Sequence, residues 1–177
     1  MNPEQDAEPG SSAPASAAGT GLYALIEKFY EGFAAGDADA MESCYHPEVH
    51  FSDPVFPDLN GPEVMKMWRT LLGRSDDLAI TLGAHEAIPG RGPDSAATGK
   101  AHWSAVYTFS STGRSVTNEV DAGFRFSDGL IVEHVDDFNF WRWSRQALGL
   151  PGLLLGWTPI LRHKVQRQSA LLLESAG

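Results

Sequence analysis

From Leu22 the apolar positions recur at helical spacing: in "LYALIEKFYEGFAAGD", Leu22, Ile26, Phe29 and Phe33 share one face, and Gly36-Asp37 stops the helix. The segment "ADAMESCY" predicts a second, short helix with Met41, Cys44 and Tyr45 turned inward. The period then drops to two. "EVHFSD" alternates as a strand, "PVFPDLNG" turns, and "PEVMKMWRTLLG" predicts a third helix with Pro62 in its first turn and Gly73 just after its end. Four strand-like segments follow: "LAITLGAHEAI", "GKAHWSAVYTFS", "SVTNEVDAGFRFS" and "LIVEHVDDFNFW". The last three are joined by "STGR" and "SDG", both hairpin signals. Helices first and a strand meander after predict an α+β fold, in which a curved antiparallel sheet wraps over the helices.

A sheet with one face on helices sorts its side chains by parity. Trp103, Ala105, Tyr107 and Phe109 fall on one face of their strand, with His102, Ser104 and Thr108 on the other. On the next strand Val116, Val120, Phe124 and Phe126 define the apolar face, and Asn118 and Ala122 share it. In the last strand His134, Asp136, Phe138 and Phe140 compete with Glu133, Val135, Asp137, Asn139 and Trp141. The two phenylalanines favour the first set inside, which strands His134 and Asp136 as polar groups on an otherwise apolar face.

Composition narrows the function. A chain of 177 residues supports one domain, and 13 Lys+Arg against 23 Asp+Glu give a formal charge of -10, which repels nucleic acid. The single cysteine, Cys44, permits no intramolecular disulfide and fits a reducing, cytoplasmic setting as a small buried residue on a helix. Residues 1–20 read as a disordered tail, because acids and prolines stand where a signal peptide needs a basic end and an apolar core. Residues 21–141 form the predicted domain and 142–177 a helical extension, "RWSRQALGLPGLLLGWTPILRHKVQRQSALLLES" and two further residues, broken at Gly149 to Gly152 and resumed after Pro159. Arg142, Arg145, Arg162, Lys164 and Arg167 make this end basic. Packing on the open end of the domain as a lid, or on a second subunit, is the expected use, with peripheral membrane contact as the less expected one.

The run "FYEGFAAGDADAMESCYHPEVHFSDPV", a Gly-started helix, and a meander ending in "FRFSDGLIVEHVDDF" together resemble the nuclear transport factor 2-like superfamily, in its ketosteroid-isomerase-like and SnoaL-like branches. The likeness runs from about Leu22 to Phe140. It implies a cone, or cystatin-like α+β barrel, whose curved sheet encloses an apolar cavity, and a homodimer. It puts Asp53 where the isomerase carries its general base. The isomerase's oxyanion tyrosine falls on Phe29, with Tyr30 one position out, and its protonated aspartate falls on Ala122. Neither donor is present. "IVEHVDDF" is similar to the "EHWD"-like ending of SnoaL-like proteins, whose strand aspartate corresponds to Asp136.

These likenesses set the expectation: a cavity for an apolar, cyclic or polyketide-like small molecule, with Asp53, His134 and Asp136 as catalytic residues and Phe29, Trp68, Trp103, Tyr107, Asn118 and Phe138 contacting substrate. Burial among aromatic rings raises carboxyl pKa values toward neutrality, which suits cofactor-free acid–base chemistry such as isomerisation, cyclisation or hydration. Each residue also has a plainer reading. Asp53 before Pro54 fits a turn aspartate that accepts backbone N–H groups. His134 and Asp136 fit a satisfied buried pair, and Asn118 a cross-strand partner. The same cavity also serves a non-catalytic ligand-binding or dimerisation module. No metal or other cofactor is expected, since strand parity sends His50 away from Asp53.

Overall fold

The computed structural model describes residues 13–74, 76–91 and 96–175, with side chains from residue 19. The first twelve residues of the expected tail lie outside this range. From Ala13 the chain is already helical, so α1 (Ala13–Ala35) starts well before the periodic run that predicts it. Gly36, at a φ of 70°, turns the chain out of α1, and Asp37 caps α2 (Ala38–Glu42) by accepting the N–H groups of Asp39 and Ala40. The second helix is therefore shorter than expected. Cys44 lies buried in the turn after it, and Tyr45 opens strand β1 (Tyr45–Ser52) instead of closing a helix.

After β1 come β2 (Leu59–Asn60), α3 (Pro62–Leu72), β3 (Ala79–Ile88), β4 (Ala97–Phe109), β5 (Arg114–Ser127) and β6 (Leu130–Asp137). They form one open six-stranded sheet in the order β2-β1-β6-β5-β4-β3. Every pairing is antiparallel except that of β1 with β6, where Phe51 lies beside His134. The β5–β6 turn is Asp128-Gly129, both at positive φ, the geometry a two-residue hairpin needs. A register shift between Arg125 and Phe126 turns both Ile131 and His134 inward on β6, which strict alternation forbids.

The inner sheet face follows the parity read from sequence. Trp103 and Ala105 of β4 and Val116, Val120, Ala122, Phe124 and Phe126 of β5 are buried, as are His134 and Asp136 of β6. Helix α1 lies against this face with Ile26 and Phe29 fully buried. A side chain at Gly99 would meet Ile26 Cδ1 and a Phe126 ring carbon at 3.0 Å, so this glycine sets how closely helix and sheet approach.

Strand β6 accompanies β5 only from Asp121 onward, which leaves the first half of β5 without a neighbour on that side. The extension fills the gap. Helix α4 (Phe140–Leu148), capped by Asn139, lies over it, and Gln146 both accepts the Thr117 N–H at 3.0 Å and donates to the Thr117 carbonyl at 3.0 Å. The orphaned backbone pair is thereby satisfied. Helix α5 (Leu150–Leu155) packs on α4 through Gly152, where an added Cβ would collide with the Ser144 carbonyl oxygen. Helix α6 (Pro159–Ser175) then crosses back toward α3 and buries Leu173 in the main core. A second, smaller core of Val116, Phe140, Trp143, Ala147, Leu161 and Val165 results. The extension is thus part of the folded body.

Candidate active site

Between the two cores is a cavity of about 290 Å³. Val55, Tyr107 and Phe138 pack against both cores and line it. Its wall is mainly apolar and aromatic, and α6 contributes Val165, Gln168, Ser169 and Leu172, so the extension covers the space as a lid. Gln166 holds that lid down by donating to the Pro54 carbonyl at 3.1 Å.

Asp53 and Asp136 both line this cavity, and the charge of Asp136 acts on Asp53. Asp53 stands at the end of β1, where its Oδ1 accepts the N–H of Val55 at 2.6 Å and of Phe56 at 2.5 Å. Its own N–H donates to the Phe56 carbonyl at 2.8 Å. Asp53 is therefore a turn aspartate in the ordinary sense. It is also more than that. Burial lifts its carboxyl from 3.8 to about 7 despite the two backbone donors, and the Asp136 charge adds to the rise. Desolvation outweighs the turn's hydrogen bonds, leaving a carboxyl poised to exchange a proton near neutral pH.

His134 is fully buried among Phe29, Phe51, Trp68 and Phe124, and is not among the residues lining the cavity. It reaches the cavity through Asp136. Trp68 Nε1, which can only donate, gives its proton to Tyr45 Oη at 3.0 Å. The Tyr45 hydroxyl is hydrogen-bonded to His134 Nδ1, 2.7 Å away. At the other side of the ring Nε2 lies 3.0 Å from Asp136 Oδ1, where an N–H meets a carboxylate acceptor. Trp103 Nε1 donates to the same oxygen at 3.3 Å.

This chain holds a carboxylate in place and cannot conduct protons. It ends on an indole with nothing to accept, and pulling the proton from Tyr45 would create a buried phenolate. Burial already pushes the Tyr45 hydroxyl well above its ordinary pKa, with the Trp68 hydrogen bond offsetting only part of that. His134 accordingly stands behind Asp136, one layer back from the place expected for a catalytic group.

The substrate-contact expectations divide. Trp68, Trp103, Tyr107, Asn118 and Phe138 line the cavity, whereas Phe29 does not. Phe29 packs edge-on against Tyr45, Trp68 and His134 and braces the relay from behind. Tyr30 is buried against Trp103 and Phe124, its hydroxyl has no partner among the described residues, and burial followed by the Asp136 charge raises its pKa. Tyr107 gains a definite orientation: Trp143 Nε1 donates to its oxygen at 2.9 Å, which leaves the phenol proton free for an acceptor in the cavity. Burial raises its pKa, so it stays a donor.

Sequence reasoning missed Tyr45, Trp143 and the lid residues. The spacing of Val165, Ser169 and Leu172 along one helical face is the signal that carries the last of these. Among the described residues no cluster of three His, Cys, Asp or Glu side chains is arranged to hold a metal ion. His50 instead pairs with Asp58 at 3.0 Å, away from the cavity. No helix among the described residues is long and apolar enough to cross a membrane.

A six-stranded curved sheet over helices is the architecture of the nuclear transport factor 2-like class. The chain belongs to the SnoaL-like domain family, whose model matches residues 26–134. Solved structures of the same fold include TsrD from Streptomyces laurentii, 23% identical over 74% of this chain and 97% of that one, with a TM-score of 0.56. An LEH-like epoxide hydrolase from M. tuberculosis is 16% identical over 77% and 97% of the two chains, also at 0.56. A proposed polyketide cyclase from Xanthomonas campestris pv. campestris is 19% identical over 73% and 98%, at 0.57. No functionally curated protein matches the chain.

Proposed function

We propose that the protein is a cofactor-free acid–base enzyme acting on an apolar, cyclic or polyketide-like carbonyl compound. The observation that carries this reading is the pairing of Asp53, at a pKa of about 7, with the hydrogen-bonded Asp136 on one apolar cavity. Asp53 is the general base. Its Oδ1 is occupied by two backbone donors, so proton transfer falls to Oδ2. Tyr107 and Asn118 supply the donors that a developing enolate oxygen requires, in place of the isomerase donors missing at Phe29 and Ala122. Asp136, held by His134 and Trp103, adds to the rise that burial gives the Asp53 pKa and is the second acid–base group on the same cavity.

The names of the neighbouring folds, an epoxide hydrolase and a proposed polyketide cyclase, are consistent with isomerisation, cyclisation or hydration. The rival reading is a module that holds the same ligand without turnover, and one assay separates the two. An apolar cyclic ketone such as 2-tetralone is incubated with the protein in deuterium oxide, and exchange at the carbon beside its carbonyl is followed by proton NMR. The expected result is exchange accelerated by the wild-type protein, lost in Asp53→Asn and reduced in Tyr107→Phe, with ketone binding retained. Binding of the ketone without accelerated exchange in the wild type would overturn the enzyme reading and leave the binding module.

A further inference from the structure

The junction of α5 and α6 projects apolar side chains into solvent. Leu150, Leu154, Trp157 and Ile160 are 72%, 65%, 74% and 78% exposed, and all fall within eleven consecutive residues. Core packing does not explain them, since the residues of this segment that stabilise the fold are the buried Gly152, Gly156 and Leu161. Trp157 Nε1 donates to the Leu154 carbonyl at 3.1 Å, so its only polar group is satisfied and the indole is free to enter an apolar phase.

Along the sequence the charge around this tip is of one sign, while in space Glu119, Asp121 and Asp137 share a surface cleft with Arg142, Trp157 and Arg162. Residues 138–173 hold five of the protein's 13 Lys and Arg and none of its 23 acids, in a chain of net charge -10. Arg142, Arg145, Arg162, Lys164 and Arg167 are exposed, and no described carboxylate lies within ion-pair distance of any of them. Arg145 and Arg162 instead stack over Trp141 and Phe140, which keeps both guanidinium groups beside the tip.

We propose that this tip docks on an anionic lipid bilayer, with Leu150, Leu154, Trp157 and Ile160 entering the interface and the surrounding Arg and Lys side chains meeting lipid phosphates. A second copy of the chain fits less well. A symmetric contact through the tip sets each cluster of cations against its own image. An asymmetric one needs an apolar counterpart on the acidic body, where the exposed large apolar side chains are Tyr23, Ile88, Val106 and Val135, one each on α1, β3, β4 and β6. A bilayer supplies apolar depth and negative charge together. Because α6 begins at the tip and goes on to line the cavity, docking holds the cavity lid within about 18 Å of the lipid surface, the rise of the helix from Ile160 to Leu172.

The test is flotation of the full chain with vesicles of phosphatidylcholine alone and of phosphatidylcholine with phosphatidylserine, beside sedimentation of the protein without lipid. The expected result is flotation with the anionic vesicles only, weakened by salt. Leu154→Ser with Trp157→Ser abolishes it, and Lys164→Gln lowers the partition coefficient about fivefold, the contribution of one basic group near an anionic surface. Both variants change exposed side chains, and an unchanged melting temperature shows that they fold. Absence of flotation with anionic vesicles overturns the proposal, as does flotation that survives loss of Leu154 and Trp157. Self-association that these substitutions abolish, in protein that ignores both vesicles, assigns the tip to a second copy instead.

Discussion

Replacing Asp53 by Asn separates the turn role of this residue from its ionisation. The amide keeps an oxygen for the Val55 and Phe56 N–H groups, so the turn survives, but the group no longer titrates. In the wild type the folded-state pKa of about 7 lies above the model value of 3.8, and the folded protein therefore binds the Asp53 proton more tightly than the unfolded chain does. Stability contributed by this group is fully present below about pH 4 and is lost as the pH rises through about 7. A shift of this size corresponds to about 4 kcal/mol in the limit, of which about 2–3 kcal/mol is lost between pH 5 and pH 8. Asp53 keeps part of its surface accessible, which lowers the expected loss to about 2 kcal/mol. Urea unfolding of both proteins at constant ionic strength across this range measures it. The Asn variant gains on the wild type as pH rises, by roughly the stated amount. A difference that stays flat with pH, or that runs the other way, refutes the claim that burial dominates this carboxyl and with it the case for Asp53 as a base.

The relay and the extension give further tests. Tyr45→Phe leaves His134 Nδ1 and Trp68 Nε1 without their partner in a dry core, so urea unfolding reports a loss of about 1–3 kcal/mol. Gln146→Ala strands the Thr117 N–H and carbonyl under α4, a loss of about 1–3 kcal/mol that native-state hydrogen exchange localises to the Thr117 amide. Gly152→Ala drives a methyl group into the Ser144 carbonyl and forces α5 off α4, lowering the melting temperature by several degrees while a serine at exposed Leu154 does not.

The parts of the fold governed by local pattern were legible in the sequence. Helix α3 shows its Pro62 start and Gly73 stop, and the Asp128-Gly129 turn announces its hairpin. The inner face of β4 and β5 follows from alternation alone. What failed were features set by neighbours in space. Tyr45 continues the helical pattern of Met41 and Cys44, yet pairing with β6 draws it into a strand. No single-strand pattern shows that the β6 register shift brings Ile131 and His134 to the same face. Phe29 aligns with a functional position and has the right character for a cavity wall. Only the packing of Tyr45 and Trp68 reveals that it stands behind the wall.

The position of His134 bears on how the two carboxylates divide their work. If His134 opened on the cavity, it would compete with Asp53 for the role of base. Enclosed by aromatic rings and hydrogen-bonded to a hydroxyl that cannot release its proton cheaply, it serves to keep Asp136 oriented. A charged Asp136 in turn helps keep the Asp53 pKa high. His134→Gln is thus expected to act on Asp53 from a distance. Its amide cannot span both Tyr45 and Asp136 as the ring does, so Asp136 loses its fixed place and the Asp53 titration, followed by carboxyl carbon NMR, moves toward lower pH. Stability falls as well, but a merely structural histidine would leave the Asp53 titration where it was. An unmoved titration in folded His134→Gln would break the link between the relay and the base.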